Sequence, residues 1–269
     1  IASVIYLASS YHLSEIYVRD AQAESLLFIF LPLIILSIKE LLEGHKKWFY
    51  PCFIIGYVGG ILSHFTMMIY VTIFLGITML ILYKKVFTKE FIIPFIKGCI
   101  LVLLLSLFFF EPLFEHKLLG NYMVYKKWVM SLGVWHTTLW GMEYILPIDS
   151  SGIYFYFSIV VIVLMIYLLL RKRDIFREDK YKLIGIFTLI SFMMSTRYSP
   201  WKIMPYSLFM IQFGWRLVTL VILGVSIMAV VALENTRVST KVLCLACILL
   251  SGLFSIHFGC KYTKNILKN

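Results

Sequence analysis

Charge is scarce in this chain: Asp, Glu, Lys and Arg make up 14% of its 269 residues, against about 25% in soluble domains. With 61% apolar residues, a soluble fold of this length would expose large adhesive patches. Proline is also sparse, at 7 residues, so little interrupts long helices. No internal repeat and no low-complexity tract is present. The common catalytic signatures are missing too. There is no H-E-x-x-H, no G-x-S-x-G, no glycine-rich phosphate loop and no dinucleotide fingerprint, which removes the usual zinc protease, serine hydrolase and nucleotide-binding readings. The 5 cysteines form neither a disulfide framework nor a zinc site, and no metal ligand set is expected. Cys244 and Cys247 have redox spacing, but a thiol in lipid lacks the electropositive, exposed setting that activates it.

What the chain does have is long apolar runs. Residues 22–38, 91–110, 153–170, 216–233 and 242–257 are nearly free of charge. A hydrocarbon core about 30 Å thick needs roughly 20 helical residues. Adding 48–62, 66–83 and 183–196 as shorter candidates predicts about eight spans in one membrane-embedded helical domain covering 1–269. The connecting segments then fall into two sets. Segments 39–47, 84–90, 171–182 and 234–241 hold 14 Lys and Arg. Segments 1–21, 63–65, 111–152, 197–215 and 258–269 hold 9, spread over well over twice the length. Lys and Arg are retained on the cytoplasmic side, so the first set is read as inside. Arg171, Lys172, Arg173, Arg177, Lys180 and Lys182 are the strongest anchor. The net charge of +11 is then a topology signal with attraction to anionic lipid, and no basic patch interleaved with exposed aromatics points to nucleic acid.

Residues 48–83 would be one helix or two. A single helix would put Lys84, Lys85 and Lys89 outside and break the charge rule at every later loop. Gly59-Gly60 and Ser63-His64 supply a place to turn, so two helices joined at 63–65 are expected. Residues 48–62 and 183–196 are roughly 21–23 Å long at about 1.5 Å per residue, short of the hydrocarbon thickness. Both end at polar groups, His64 and Arg197, on the same predicted face. Two readings fit: a water-filled recess entering from outside, or local thinning of the bilayer with snorkelling side chains. The outer loop 111–152, with Trp128, Trp135 and Trp140, reads as interfacial helices lying at the headgroups. The chain starts at Ile1, and residues 1–8 read as the last turns of a helix, so the sequence is expected to be part of a larger protein.

Two polar clusters on the outer face need explaining. In the first, running from Tyr11 to Glu24, a continuous helix would place Glu15 with Arg19 and Asp20 with Glu24 at four-residue spacing. An unpaired Asp20–Glu24 couple could bind a divalent cation or do acid–base work; alternatively the stretch is a solvated, salt-bridged helix start. In the second cluster, Arg197, Lys202 and Arg216 lie where the charge rule disfavours them. A phosphate partner would account for them, as would snorkelling beside tryptophan. His64 at its turn is either a structural hydrogen-bonding residue or a ligand. Lys97 snorkels to the inner headgroups.

At these clusters the sequence resembles a known family. Tyr11-His12-Leu-Ser-Glu15-Ile-Tyr17-Val-Arg19-Asp20-Ala-Gln22-Ala-Glu24 and then Leu31-Pro32-Leu33 are similar to a run shared by large bacterial multi-pass proteins. Gly59-Gly60-Ile-Leu-Ser63-His64, Ser199-Pro200-Trp201-Lys202 and Ile211-Gln212-Phe213-Gly214-Trp215-Arg216 follow in the same order. The family is the membrane domain labelled as related to 6-pyruvoyl-tetrahydropterin synthase, allied to GT-C type glycosyltransferases. Gln22-Ala23 stands where the family has a glycine, and Gly214 where it has a proline; neither change removes a charge. The pterin label itself has no support, since that chemistry needs a soluble fold and a histidine-bound zinc.

The resemblance implies a GT-C-like helix bundle. It also implies sugar transfer from a polyprenyl-phosphate carrier on the extracytoplasmic face of a bacterial plasma membrane, serving a cell-envelope polymer. It implies that Arg197, Lys202 and Arg216 meet the lipid phosphate with His64 in support, and that Arg19, Asp20 and Glu24 shape the acceptor site or hold a cation. The main catalytic acid is then expected upstream of Ile1, with Asp20 and Glu24 the candidates within the chain. A transporter or flippase of lipid-linked sugars is the rival reading, and a non-catalytic envelope-assembly scaffold is a third. Polar groups stopping at one face, and apolar spans at 91–110 and 153–170, count against translocation.

Overall fold

A computed structural model describes residues 2–17, 19–119 and 176–234, with short pieces within 165–170 and 241–253. Most of the expected spans 153–170 and 242–257, loop residues 120–152, Arg171–Arg173 and the Cys244, Cys247 and Cys260 thiols lie outside the described residues. Every regular element among the described residues is a helix. In order they are α1 (Ala2–Leu7), α2 (Ser10–Tyr17), α3 (Gln22–Leu42), α4 (Lys46–Ile81), α5 (Tyr83–Val86), α6 (Lys89–Leu119), α7 (Asp179–Ser195) and α8 (Val218–Glu234). Three 3-10 turns, Trp201–Ile203, Tyr206–Ile211 and Gly214–Leu217, fill the connection between α7 and α8. Four stretches are long and apolar enough to cross a bilayer: Gln22–Leu42, Lys46–Ile81, Lys89–His116 and Gly214–Leu233. The chain is an all-α membrane protein.

The 36-residue α4 is bent back on itself at one residue. His64 has φ −151° and ψ 80°, outside the helical region. A Cβ built on Gly60 would lie 2.5 Å from Met68 Sδ, and Tyr57 meets Thr72 through its hydroxyl. On a straight helix those pairs would be about 12 and 22 Å apart, at 1.5 Å per residue. The chain therefore reverses at His64, as the charge pattern and the Ser63-His64 pair predicted. Lys46 and Lys47 at one terminus of the hairpin, and Lys84 and Lys85 after the other, lie at the end opposite His64.

The chain forms two compact units. The first contains residues 1–25, 139–197 and 217–269. Here α8 packs on α7, α1 and α2. α8 is apolar on all sides, as a central helix must be, and 83% of its membrane-length window is buried. Gly224 lets α7 approach, because a Cβ there would run into the Thr188 side chain. The second unit contains residues 26–138 and 198–216. Gly56 admits Ile34 of α3, and Gly98 of α6 sits 3.1 Å, at the position of a Cβ, from Phe49 and Phe53. Trp201, 1% exposed, plugs the base of its loop against Tyr70 at 6.2 Å between ring centres. By contrast with α8, only 28% of the α6 window is buried, leaving a face of Leu101, Leu104, Leu105 and Phe108 for lipid. α6 also continues past the expected end at 110 to Leu119, carrying Pro112 inside it. A proline there frees one carbonyl, that of Phe108 four residues back, and the rest of the ladder continues.

Candidate functional site

Residues 11–24 do not form one helix. α2 stops at Tyr17, Asp20 takes φ +51°, and α3 begins at Gln22. The turn is closed by the Arg19 amide donating to the Ser14 carbonyl at 3.0 Å and the Ala21 amide to the Glu15 carbonyl at 2.9 Å. This reversal swings Glu24 over the end of α2. Arg19 Nη1 then donates to both oxygens of Glu15 at 2.5 Å and to Glu24 Oε2 at 3.0 Å. The Tyr11 hydroxyl donates to Glu24 Oε2 at 3.3 Å and also reaches Glu15. Tyr11 and Glu15 are fully buried, and Glu24 is 4% exposed. Burial, and then the charge of Glu24, push the Glu15 carboxyl up to about 7 against the pull of Arg19. Burial likewise pushes His12 down to about 4, keeping it neutral. The expected Asp20–Glu24 couple is replaced by Glu15–Arg19–Glu24. Asp20 is exposed and accepts from Gln22 Nε2 at 3.4 Å.

In the second unit, the two arms of α4 and the flank of α6 enclose an apolar cleft of about 530 Å³. That lies within the roughly 300–1,000 Å³ range of ligand pockets. Ile61, Phe65 and Phe110 wall one end, and Phe53, Met79 and Phe95 the other. Phe65 stands 5.7 Å from Phe110, and Phe53 5.5 Å from Phe95, between ring centres. From Phe95 to Phe110 the slot runs about 22 Å along α6 at 1.5 Å per residue. Thr72 and Leu103 on its rim are exposed, so it opens sideways. Gly76 widens it, with no atom within 4 Å of the position its Cβ would take. His64 sits at the aromatic end, where its Nδ1 accepts the Met67 amide at 3.3 Å. That bond caps the returning arm of α4 and leaves the ring proton on Nε2.

The motif before α8 builds a strained turn. Gln212 has φ +65° and ψ −43°, and the Phe213 amide donates back to the Ile211 carbonyl at 2.7 Å. This is a γ-turn of the rare hand, a conformation that needs outside support. Arg216 supplies it. Its Nη1 donates to the same Ile211 carbonyl at 2.8 Å and to Gln212 Oε1 at 3.4 Å, and its guanidinium lies 4.8 Å over the Phe213 ring. Lys202 lies in this unit on the Trp201–Ile203 turn, while Arg197 is exposed after α7 in the first unit. At the end of α3, Glu40, Glu43 and His45 converge, but Lys39 already bridges the two acids at 2.7 and 2.8 Å.

Sequence reasoning did not find the roles of Tyr11 and Glu15, nor the cleft. Glu15 was visible as a partner for Arg19, but only a break at 18–21 brings Glu24 to the same cation. The open Gly76 and the ring of phenylalanines carry no motif and emerge only when the hairpin closes. The fold and these sites define a helical membrane protein with a buried acid–arginine cluster and a hydrocarbon-lined slot. No family model, curated protein or solved structure matches the chain.

Proposed function

We propose that the chain is part of a GT-C-like, roughly eight-span glycosyltransferase. Its donor is a sugar carried on polyprenyl phosphate, and it works at the extracytoplasmic face of a bacterial plasma membrane to modify a cell-envelope polymer. The observation that carries this reading is the apolar slot of the second unit. A polyprenyl carrier needs an elongated, hydrocarbon-lined groove. The slot supports this reading: apart from Tyr57, Thr72 and Cys99 its walls are aromatic and aliphatic, it runs about 22 Å, and His64 directly precedes Phe65 at one end.

In this reading the carrier chain lies along α6 and the returning arm of α4, and its phosphate rests at the His64 end. Lys202 and Arg216 supply positive charge, Arg216 by way of the turn it braces, and Arg197 and Arg19 serve the first unit's share of the outer surface. Of Asp20 and Glu24, Asp20 is the exposed acid that a substrate or a divalent cation would meet, whereas Glu24 is buried against Arg19 and Tyr11. The test is transfer of sugar from a polyprenyl-phosphate donor by the intact protein in vesicles. Lys202→Ala and Arg216→Ala are each expected to lower turnover at least tenfold. Undiminished turnover in both variants removes the phosphate role.

A further inference from the structure

The apolar slot of the second unit is one chain wide. On α6 its wall is a single stripe at helical spacing, Phe95, Cys99, Val102 and Phe110. On the returning arm of α4 the facing stripe runs from Phe65 to Met79, about 21 Å at 1.5 Å per residue, which matches the length along α6. Spread over about 22 Å, the 530 Å³ leaves a mean cross-section of about 24 Å². A methylene takes up nearly the ~30 Å³ of a liquid water and advances a zigzag chain by about 1.25 Å, so one hydrocarbon chain has a cross-section of roughly 20–25 Å². Two chains side by side would need twice the room. An isoprene unit, with five carbons over four chain bonds, is about 5 Å long and fills about 140 Å³. Length and volume agree: about four units fill the slot.

The two ends of the slot differ. The Trp201–Ile203 turn, which contains Lys202, rests on the returning arm through Trp201 and Tyr70, and Tyr70 is closer in sequence to His64 than to Met79. The other end is closed by Phe53, Met79 and Phe95, with the Phe53 and Phe95 rings 5.5 Å apart between centres. Thr72 and Leu103 on the rim are exposed, so a longer chain has a way out at the flank. We propose that the slot gauges its carrier: it takes one chain, seats the first four or so isoprene units after the phosphate, and leaves every further unit in the surrounding lipid. This rests on the polyprenyl-carrier reading above and adds to it a limit on chain number and seated length. Dispersion contacts fade within about 1 Å of separation from the wall, so binding strengthens only over the seated length. Carriers longer than four units then bind no better than a four-unit carrier. A two-unit carrier leaves half the wall without contacts, and a two-tailed lipid with the same phosphate must splay its tails to seat one.

The test is competition in nanodiscs holding the intact protein. A radiolabelled four-unit polyprenyl phosphate is displaced by unlabelled polyprenyl phosphates of two, four, seven and eleven units, and by phosphatidic acid, each at the same mole fraction of membrane lipid. The four-, seven- and eleven-unit carriers should compete within about threefold of one another, while the two-unit carrier and phosphatidic acid should each be at least about tenfold weaker. A gain of more than about threefold from four to eleven units overturns the gauge and leaves the carrier reading in place, and so does a two-unit carrier that matches the four-unit one. Phosphatidic acid that matches the four-unit carrier shows a groove for any lipid tail and also overturns the gauge. If the labelled carrier itself does not bind, the carrier reading fails and the gauge falls with it.

Discussion

Gly76→Phe separates the slot from the fold. No atom lies within 4 Å of the Cβ position, so the new side chain meets open space rather than a packed neighbour. Replacing glycine in a helix interior gains about 0.5 kcal/mol of propensity for phenylalanine, and partial burial of the ring adds about 1 kcal/mol. The variant should therefore be at least as stable as the wild type. The ring projects into the 530 Å³ slot midway along the returning arm of α4, between Thr72 and Met79. It would displace about four methylene equivalents of a bound chain, each worth about 0.8 kcal/mol, for a loss of about 3 kcal/mol. At about 1.4 kcal/mol per decade, that is roughly a hundredfold weaker binding. The assay is equilibrium binding of labelled polyprenyl phosphate to the intact protein in nanodiscs, beside thermal unfolding. Gly76→Ala, which adds one methyl, should cost less than tenfold. A folded Gly76→Phe protein that binds the carrier at wild-type affinity refutes the reasoning.

Other expectations follow from the same geometry. Arg19→Met removes the guanidinium that Glu15 and Glu24 share and should destabilise the first unit by about 3–5 kcal/mol. Adding Glu15→Gln should recover part of that loss in a denaturation cycle, and strict additivity would argue against a shared site. Glu15 also sets a pH dependence. Its folded pKa of about 7 exceeds the unfolded value near 4.5, so its contribution is fully favourable below about 4.5 and is lost as pH rises through 7. Wild-type melting temperature should fall over that window, and Glu15→Gln should flatten the curve. Gly224→Ala pushes a methyl into Thr188 and should cost about 1–3 kcal/mol, with Thr188→Ala restoring most of it in a double variant. Single cysteines at 64 and 84, in a background without other thiols, should react with an impermeant maleimide from opposite sides of the membrane; the same sidedness at both would reverse the hairpin assignment.

The hairpin was legible because two independent signals agreed. The lysines at 84, 85 and 89 required a reversal, and Gly59, Gly60, Ser63 and His64 marked where the backbone could make it. His64 proved to be the single non-helical residue, with its ring capping the returning arm. The first polar cluster was legible in its residues and not in its geometry. Helical spacing pairs Asp20 with Glu24, but Asp20 in a left-handed conformation ends the helix and hands Glu24 to Arg19. Aspartate tolerates that conformation without announcing it, as glycine would. The γ-turn at Gln212 was hidden for the same reason, since a glutamine at positive φ is held there by Arg216 rather than by its own preference. The slot was illegible altogether: it depends on how three apolar helices meet, and apolar runs look alike whether they pack tightly or leave a gap.

The most direct measurement is photo-crosslinking in native membranes with a polyprenyl phosphate bearing a diazirine along its tail, followed by peptide mapping. Adducts should fall on residues 53–79 and 95–110, at slot positions such as Phe53, Met68, Ile73 and Val102, and should vanish in Gly76→Phe. Adducts confined to the lipid-facing side of α6, at Leu101, Leu104 and Phe108, with yields unchanged by Gly76→Phe, would contradict a carrier seated between the arms of α4 and α6.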